Sequence, residues 1–307
     1  MALTTESHAL KQNSRAGSFQ YKFFCRTPIK KPMALTTGPR ALKILCGCEC
    51  SQVLTRAFRA LGHNCYSCDL KPAYGPSANK GWHWKGDVEE IMKREGPFDL
   101  ICLIPTCVYL SCVGNRWMTA KKKDGTLKYP DRQQKRDAAI AFVKRIFKEA
   151  PSPCVMLENP KGVLSTQWRQ PNQRVCPTMF GDTMRKTTCL WTRGLPLLDQ
   201  DKIRTMPALV QKASGETVNA WHANTRFLPQ ELATQIRSQL APGFAHAIAE
   251  QYSAAVLESL GAEAPIPMLQ PEPPEPTAMV ANSTAAQPRA QSIHIVVQSG
   301  GILNLYK

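Results

Sequence analysis

The tightest constraint on this chain is an alternation. From residue 41 to about 160, short apolar runs that stop at Gly, Asp, Pro or Glu take turns with runs patterned as helices. "ALKILCG" (41–47) reads as a buried strand. In "SQVLTRAFRALG" (51–62), Val53, Leu54, Ala57 and Leu61 share a helical face, with Ser51 as cap and Gly62 as stop. "HNCYSCDL" (63–70) is a second strand, "VEEIMKRE" (88–95) a short helix and "FDLICLI" (98–104) a third strand. "DRQQKRDAAIAFVKRIFKEA" (131–150) predicts a long helix. Ala139, Phe142, Val143, Ile146, Phe147 and Ala150 form its inner face, Asp131 its cap and Pro151 its stop. "PCVMLE" (153–158) is the next strand. Strands alternating with helices predict an α/β fold with a doubly wound, mostly parallel sheet.

In such sheets ligands bind beyond the carboxyl ends of the strands. Asp69, Cys107 and Glu158 fall at or just past those ends. The loop "CGCECS" after the first strand offers backbone N–H groups to a cofactor, and a carboxylate ending the second strand suits a ribose. Asp69 is that residue, and Asp87 is placed to accept from an exocyclic amine. A thiol at Cys107 needs cations or a helix N-terminus to become a nucleophile. Arg116, Lys121, Lys122 and Lys123 come within the next sixteen residues, and Glu158 can serve as acid or hydrogen-bond partner. The plainer alternatives are a buried apolar cysteine and a glutamate that caps a helix or pairs at the surface.

The formal net charge is +16 over 307 residues. Such an excess points to a polyanionic partner, nucleic acid first, against a merely solvated basic surface. No run reaches the roughly 18 apolar residues of a membrane helix, and the first residues lack an apolar signal core. A cytoplasmic protein with reduced thiols is therefore expected, and no membrane contact. Cys46, Cys48 and Cys50, with Cys65 and Cys68, raise a zinc or cluster site as a rival, but paired C-x-x-C spacing is absent and no metal is expected.

The rest is organised around that core. Residues 1–40 form an extension with a near-repeat, "MALTTESHALK" (1–11) and "MALTTGPRALK" (33–43), which makes Met33 a second possible start. "KTTCLWT" (186–192) is strand-like, and residues 194–228, with Lys202, Arg204, Lys212 and Arg226, form a small insert. Helices come next in "PQELATQIRSQL" and "PGFAHAIAEQYSAAVLESL", the latter with Phe244, Ala247, Ile248, Tyr252 and Ala255 on one face. Residues 262–290 are rich in Pro, Ala and Glu and predict a disordered tail, before a possible strand at 293–298.

Taken in order, several short motifs carry a resemblance. They are "CECSQ" (48–52), "CDL" (68–70), "GDV" (86–88), "PTCVYLSCVGNRWM" (105–118), "ENP" (158–160), "FGDTMRKTTCLWTRGLPLL" (180–198) and "APGFAHAIAEQY" (241–252). This series resembles the DNA (cytosine-5) methyltransferases, and among them the small versions common in bacteriophage genomes. The resemblance covers residues 41–255. It implies a sheet of the class I S-adenosylmethionine (SAM)-dependent methyltransferase type, with a catalytic domain at 41–193, a target-recognition insert at 194–228 and closing helices at 229–261; composition alone marks 262–307 as a Pro/Ala-rich tail.

The resemblance implies that SAM lies over Cys48, Glu49, Cys50 and Ser51, with Asp69 and Leu70 at its ribose, Asp87 and Val88 at its adenine, and Pro105 nearby. A cytosine flipped from duplex DNA would be attacked at C6 by Cys107, with Glu158 on N3 and the exocyclic amine. Asn159 would hold the loop, Arg116 would belong to the catalytic surround, and the helix from Pro242 would close the cofactor pocket. Arg185, Lys186, Thr188 and Arg226 would contact the nucleic acid. A monomer in the cytoplasm, the host's if phage-encoded, is implied. Thr106 stands where the relatives carry a second proline, which predicts a freer nucleophile loop. The alternatives are an impaired SAM- and DNA-binding relative acting by occupancy, and an RNA cytosine-5 methyltransferase.

Overall fold

The structure, a computed structural model, describes residues 39–75, 77–200, 206, 209–211, 217–265, 294–297 and 303–306. The extension up to residue 38 with Met33, the tail from 266 to 293, and Lys202, Arg204 and Lys212 lie outside the described residues.

The strands come in the expected order with shifted ends. They are β1 (Lys43–Gly47), β2 (Asn64–Asp69), β3 (His83–Lys85), β4 (Leu100–Leu103), β5 (Cys154–Pro160), β6 (Gln173–Val175) and β7 (Thr188–Arg193). The helices among them are α1 (Val53–Ala60), α2 (Val88–Glu95), α3 (Arg132–Glu149) and the single turn α4 (Leu164–Gln167). One sheet runs β3-β2-β1-β4-β5-β7-β6. The pairs from β3 through β5 are parallel, whereas β7 is antiparallel to both β5 and β6, so the sheet is mixed. Two of its strands, β3 and β6, are not legible in the sequence, because three residues are too few to show a period.

Strand alternation sends successive side chains to opposite faces. Ile44, Cys46, Leu100, Cys102, Cys154 and Met156 pack on one face against Leu54 and Phe58 of α1. The same face receives Phe244, Ile248, Tyr252 and Val256 of α7 (Pro242–Leu260). Leu45, Ile101, Leu103, Val155 and Leu157 pack on the other face against Ile91 of α2 and Val143, Ile146 and Phe147 of α3. Each buried Leu, Ile or Phe contributes about 1.5–3 kcal/mol. On α7, Ala247 and Ala255 are only half-buried, and Ala245 and Ala249 take their place inside, so the face is rotated from the predicted one.

Between β7 and α7 lie the hairpin β8 (Leu209–Gln211) and β9 (Thr217–Asn219), then α5 (Ala220–Thr225) and α6 (Gln230–Ser238). The strand expected near 293–298 is β10 (His294–Val297), paired antiparallel with β11 (Leu303–Tyr306). No helix among the described residues is long and apolar enough to cross a membrane.

The two predicted caps fare differently. The residue ahead of α1 is Gln52, in the left-handed region (φ 57°); Ser51 Oγ accepts from Val53 N at 3.5 Å, and the N–H groups of Leu54 and Thr55 go to the Glu49 carboxylate. Asp131 caps nothing; it pairs with Lys135 one turn on. At the other end of α3, Arg193 from β7 caps the carbonyls. Its Nη2 donates to Ala150 O (2.6 Å) and Ser152 O (2.8 Å), and its Nη1 to Phe147 O (3.3 Å). A cation at a helix carboxyl end is favourable, and charge-assisted bonds are the stronger kind. Arg193→Ala is expected to lower the unfolding free energy by about 2 kcal/mol in urea denaturation, with Arg193→Lys recovering part of it.

Candidate active site

Strand register fixes which residues meet. Gly47, Cys68, Leu103 and Leu157 are paired in one row across β1, β2, β4 and β5. The next residues along, Cys48, Asp69, Ile104 and Glu158, lie one step past that row at the carboxyl edge. The order reverses between β1 and β4, which is where doubly wound sheets hold their ligands.

The loop after β1 makes a tight turn. Cys48 (φ 61°) and Gln52 (φ 57°) both adopt a left-handed conformation. Such geometry in non-glycine residues costs about 1–2 kcal/mol each and collects at ligand sites. Gln52 is fully buried and clamps the loop: Nε2 donates to Asn79 O (3.0 Å) and Ser67 Oγ (3.1 Å), and Oε1 accepts from Asn79 N (2.8 Å). Gly47 lets this edge close, since a Cβ there would sit 2.7 Å from Val88 Cγ2.

Asp69 Oδ1 accepts from Lys71 N (2.9 Å), and Asp87 Oδ1 caps α2 by accepting from Glu89 N (2.7 Å) and Glu90 N (3.4 Å). Among the described residues no hydrogen bond reaches the Oδ2 atom of either acid. Burial first, then Cys68, Asp69 and Asp87, pushes the Cys48 thiol well above its ordinary value. Burial and Asp69 push Cys50 up to about 11. Four residues expected at the cofactor have side chains turned to the protein interior. Glu49 accepts from Leu54 N, Thr55 N and Thr55 Oγ1, Ser51 donates to Glu49, Val88 packs in the core, and Pro105 is buried. Leu70 is 70% exposed, at the rim.

The loop that carries Cys107 is held from three sides. Asn159 Nδ2 on β5 donates to Pro105 O (2.8 Å). Cys112 N donates to Lys161 O and Val163 N to Leu110 O, zipping the loop to the exit of β5; a Cβ on Gly162 would come 1.9 Å from Leu110 O. Two buried arginines of α3 grip it from below. Arg132 Nη2 donates to Val108 O (2.9 Å) and Gly114 O (3.2 Å), Arg136 Nε to Tyr109 O (2.9 Å), and Arg136 Nη2 to Asn115 Oδ1 (2.7 Å). Thr106 is exposed and joins none of these bonds, so the loop is braced without a proline there. Arg132 and Arg136 are absent from the predicted inner face of α3, although they extend the i, i+4 stripe that continues at Ile140.

Cys107 is half-buried near the start of this loop. Burial pushes its thiol up; the Lys186 ammonium pulls it down, and Glu158 adds to the rise. The cation acting on the thiol is thus Lys186, expected at nucleic acid, whereas Arg116 lies over the Trp117 ring, 4.7 Å from its centroid. Thr188, also expected at nucleic acid, is buried on β7, and its hydroxyl donates to Glu158 Oε1. Arg185 is exposed, and its carbonyl accepts from Asn219 Nδ2; the exposed Arg226 stacks on Phe227.

A cavity of about 10 Å³ lies between Glu158, Lys186 and Thr188 and the strap Gln239–Leu240–Ala241 that joins α6 to α7. It holds about one water. The strap is moored at both ends. Asp182 accepts from Gly243 N (3.0 Å) and Phe244 N (2.8 Å) at the start of α7, and Tyr74 Oη donates to Gln235 O (3.0 Å) of α6. Tyr74 N in turn donates to Cys50 O, so the strap reaches from the first loop to Glu158. A larger cavity of about 250 Å³, lined by Glu89, Lys93, Pro97 and Pro151, opens at the amino edge of the sheet, away from these groups. Cys46 and Cys65 face each other in the core (Sγ–Sγ 3.5 Å), and among the described residues no three His, Cys, Asp or Glu side chains cluster as metal ligands. No protein-family model matches the chain, and no curated protein matches it.

The charges around Cys107 set its titration. Peptide-resolved iodoacetamide labelling should give a Cys107 midpoint above the ordinary thiol value. Lys186→Met should raise that midpoint and Glu158→Gln should lower it. A profile that neither substitution moves contradicts this grouping.

Proposed function

We propose that the chain is a SAM-dependent methyltransferase that modifies C5 of cytosine in duplex DNA through a covalent bond to Cys107. The observation that carries this reading is the grouping of Cys107, Lys186 and the Thr188-held Glu158 at one strand edge, beside a turn suited to a nucleoside cofactor. The strand order 3-2-1-4-5 is shared with nucleotide-binding doubly wound sheets and supports the class I methyltransferase type. The +16 charge supports a polyanionic substrate. A reaction on intracellular DNA belongs in the cytoplasm.

The residues present fit the cofactor. The left-handed turn at Cys48–Gln52 lets backbone approach a ligand closely, Asp69 Oδ2 can accept from ribose hydroxyls, and Asp87 Oδ2 can accept from the adenine amine. SAM, when bound, supplies an electrophilic methyl group.

The flipped cytosine enters beside Glu158, and the strap at Gln239–Ala241 moves aside to admit it. The Cys107 thiolate, favoured by Lys186, bonds to C6, and the ring electron pair moves to C5. Glu158 contacts N3 and the exocyclic amine, and Thr188 keeps its carboxyl oriented. C5 takes the methyl group, and the neutral thioether S-adenosylhomocysteine leaves; loss of the C5 proton to water then re-forms the C5–C6 double bond and releases Cys107 as its thiolate.

Purified protein is expected to transfer labelled methyl groups from SAM to duplex DNA. Cys107→Ala should abolish turnover while leaving SAM binding intact, and Glu158→Gln should lower kcat by about 100-fold or more. Duplex carrying 5-fluorocytosine should form a covalent adduct with wild type and none with Cys107→Ala. Equal transfer by Cys107→Ala and wild type sinks the mechanism.

A further inference from the structure

We infer that residues 116–129 form a basic finger that grips the phosphodiester backbone of duplex DNA next to the reacting base. The identity of this polyanion rests on the function proposed above. The finger comes directly after the nucleophile loop. Its tip is a small closed hairpin: Lys121 bridges to Leu127, Lys122 N donates to Thr126 O (2.9 Å) and Lys128 N to Ala120 O (2.7 Å). Gly125 (φ 83°) makes the turn, and the Asp124 carboxylate folds inward onto Thr126 N and Oγ1. The one acid of the finger is therefore used in shaping the tip.

Lys121, Lys122, Lys123 and Lys128 are all exposed, as is Arg116 at the base. None of these five cations forms an ion pair with any described residue. At the base, Trp117 and Tyr129 pack edge to face (5.9 Å), with Arg116 and Lys128 over the Trp117 ring. Those rings are already covered by cations, so the finger offers charge rather than a stacking platform for bases. Such a surface fits phosphates and carries no base readout.

The finger is also in fixed register with the nucleophile. Arg132 binds both Val108 O, next to Cys107, and Gly114 O, at the foot of the finger. Arg136 does the same through Tyr109 O and Asn115 Oδ1. A backbone held by the lysines is thereby set at a constant offset from the thiol. Five like charges along one braced finger, none paired with a carboxylate among the described residues, are costly to maintain for solubility alone, since scattered charges serve that purpose.

The test compares duplex DNA binding by the full chain over a salt series. The triple variant Lys121→Ala, Lys122→Ala, Lys123→Ala is expected to bind about tenfold or more weakly at low salt. Its log-affinity against log-salt slope should shrink by about 2–3, at 0.9 per lost phosphate contact. The control pair Lys144→Ala, Lys148→Ala, exposed on α3, should change neither quantity beyond its smaller share of net charge. SAM binding should stay at the wild-type level in both variants. Equal weakening by both variants per charge removed, an unchanged slope in the triple variant, or no duplex binding by wild type each overturn the inference. Wild type that binds duplex through the finger but makes no methylated cytosine defeats the proposed reaction and leaves the finger standing.

Discussion

One buried amide fixes the geometry on which the site depends. Asn159 sits at the carboxyl end of β5, fully buried, and its Nδ2 donates to the carbonyl of Pro105 as the chain leaves β4. Its neighbour Glu158 points into the cavity beside Lys186. The same short stretch of β5 therefore supplies the acid and sets the start of the loop that carries the thiol. Main-chain bonds to residues 161–163 and the guanidinium groups of Arg132 and Arg136 hold the remainder of that loop. A loop braced this way does not need the rigidity of a second proline, which lessens the weight of Thr106.

The order of elements was legible because burial on both faces of a sheet and on one face of a helix leaves different periods in the sequence. The carboxyl-edge convergence of Asp69, Cys107 and Glu158 came from that order alone. Hidden from the sequence were contacts in which a polar side chain satisfies a distant backbone group. Glu49 lies on the first loop and also caps a helix. Thr188, expected at nucleic acid, donates its hydroxyl to the Glu158 carboxylate. Arg132 and Arg136 occupy core positions of α3 because their guanidinium groups reach carbonyls of another loop, and composition gives no hint of that. The swap of Arg116 for Lys186 beside the thiol has the same origin, since sequence distance is a poor guide to neighbours when β7 inserts next to β5.

The closed strap has a mechanistic consequence. A cavity of about 10 Å³ beside Glu158 is too small for a nucleobase, so under the proposed reaction base entry would require the strap to move. The strap is moored through Tyr74 to the backbone of Cys50 and through Gly243 and Phe244 to Asp182. Under the proposed reaction, a cofactor on the first loop and a base at Glu158 would act on the same segment, which would make the strap a route for one to influence the other. The raised thiol of Cys107 belongs to this closed arrangement, in which burial outweighs the pull of Lys186.

The central claim is that the thiol at Cys107 makes carbon 5 of cytosine reactive. Nucleoside mass spectrometry of DNA from cells expressing the full chain tests it most directly, with cells expressing Cys107→Ala as reference. The account predicts 5-methylcytosine above background with the wild-type chain and background levels with the variant. No modified base, or methyl groups on an exocyclic nitrogen instead of carbon 5, would contradict it.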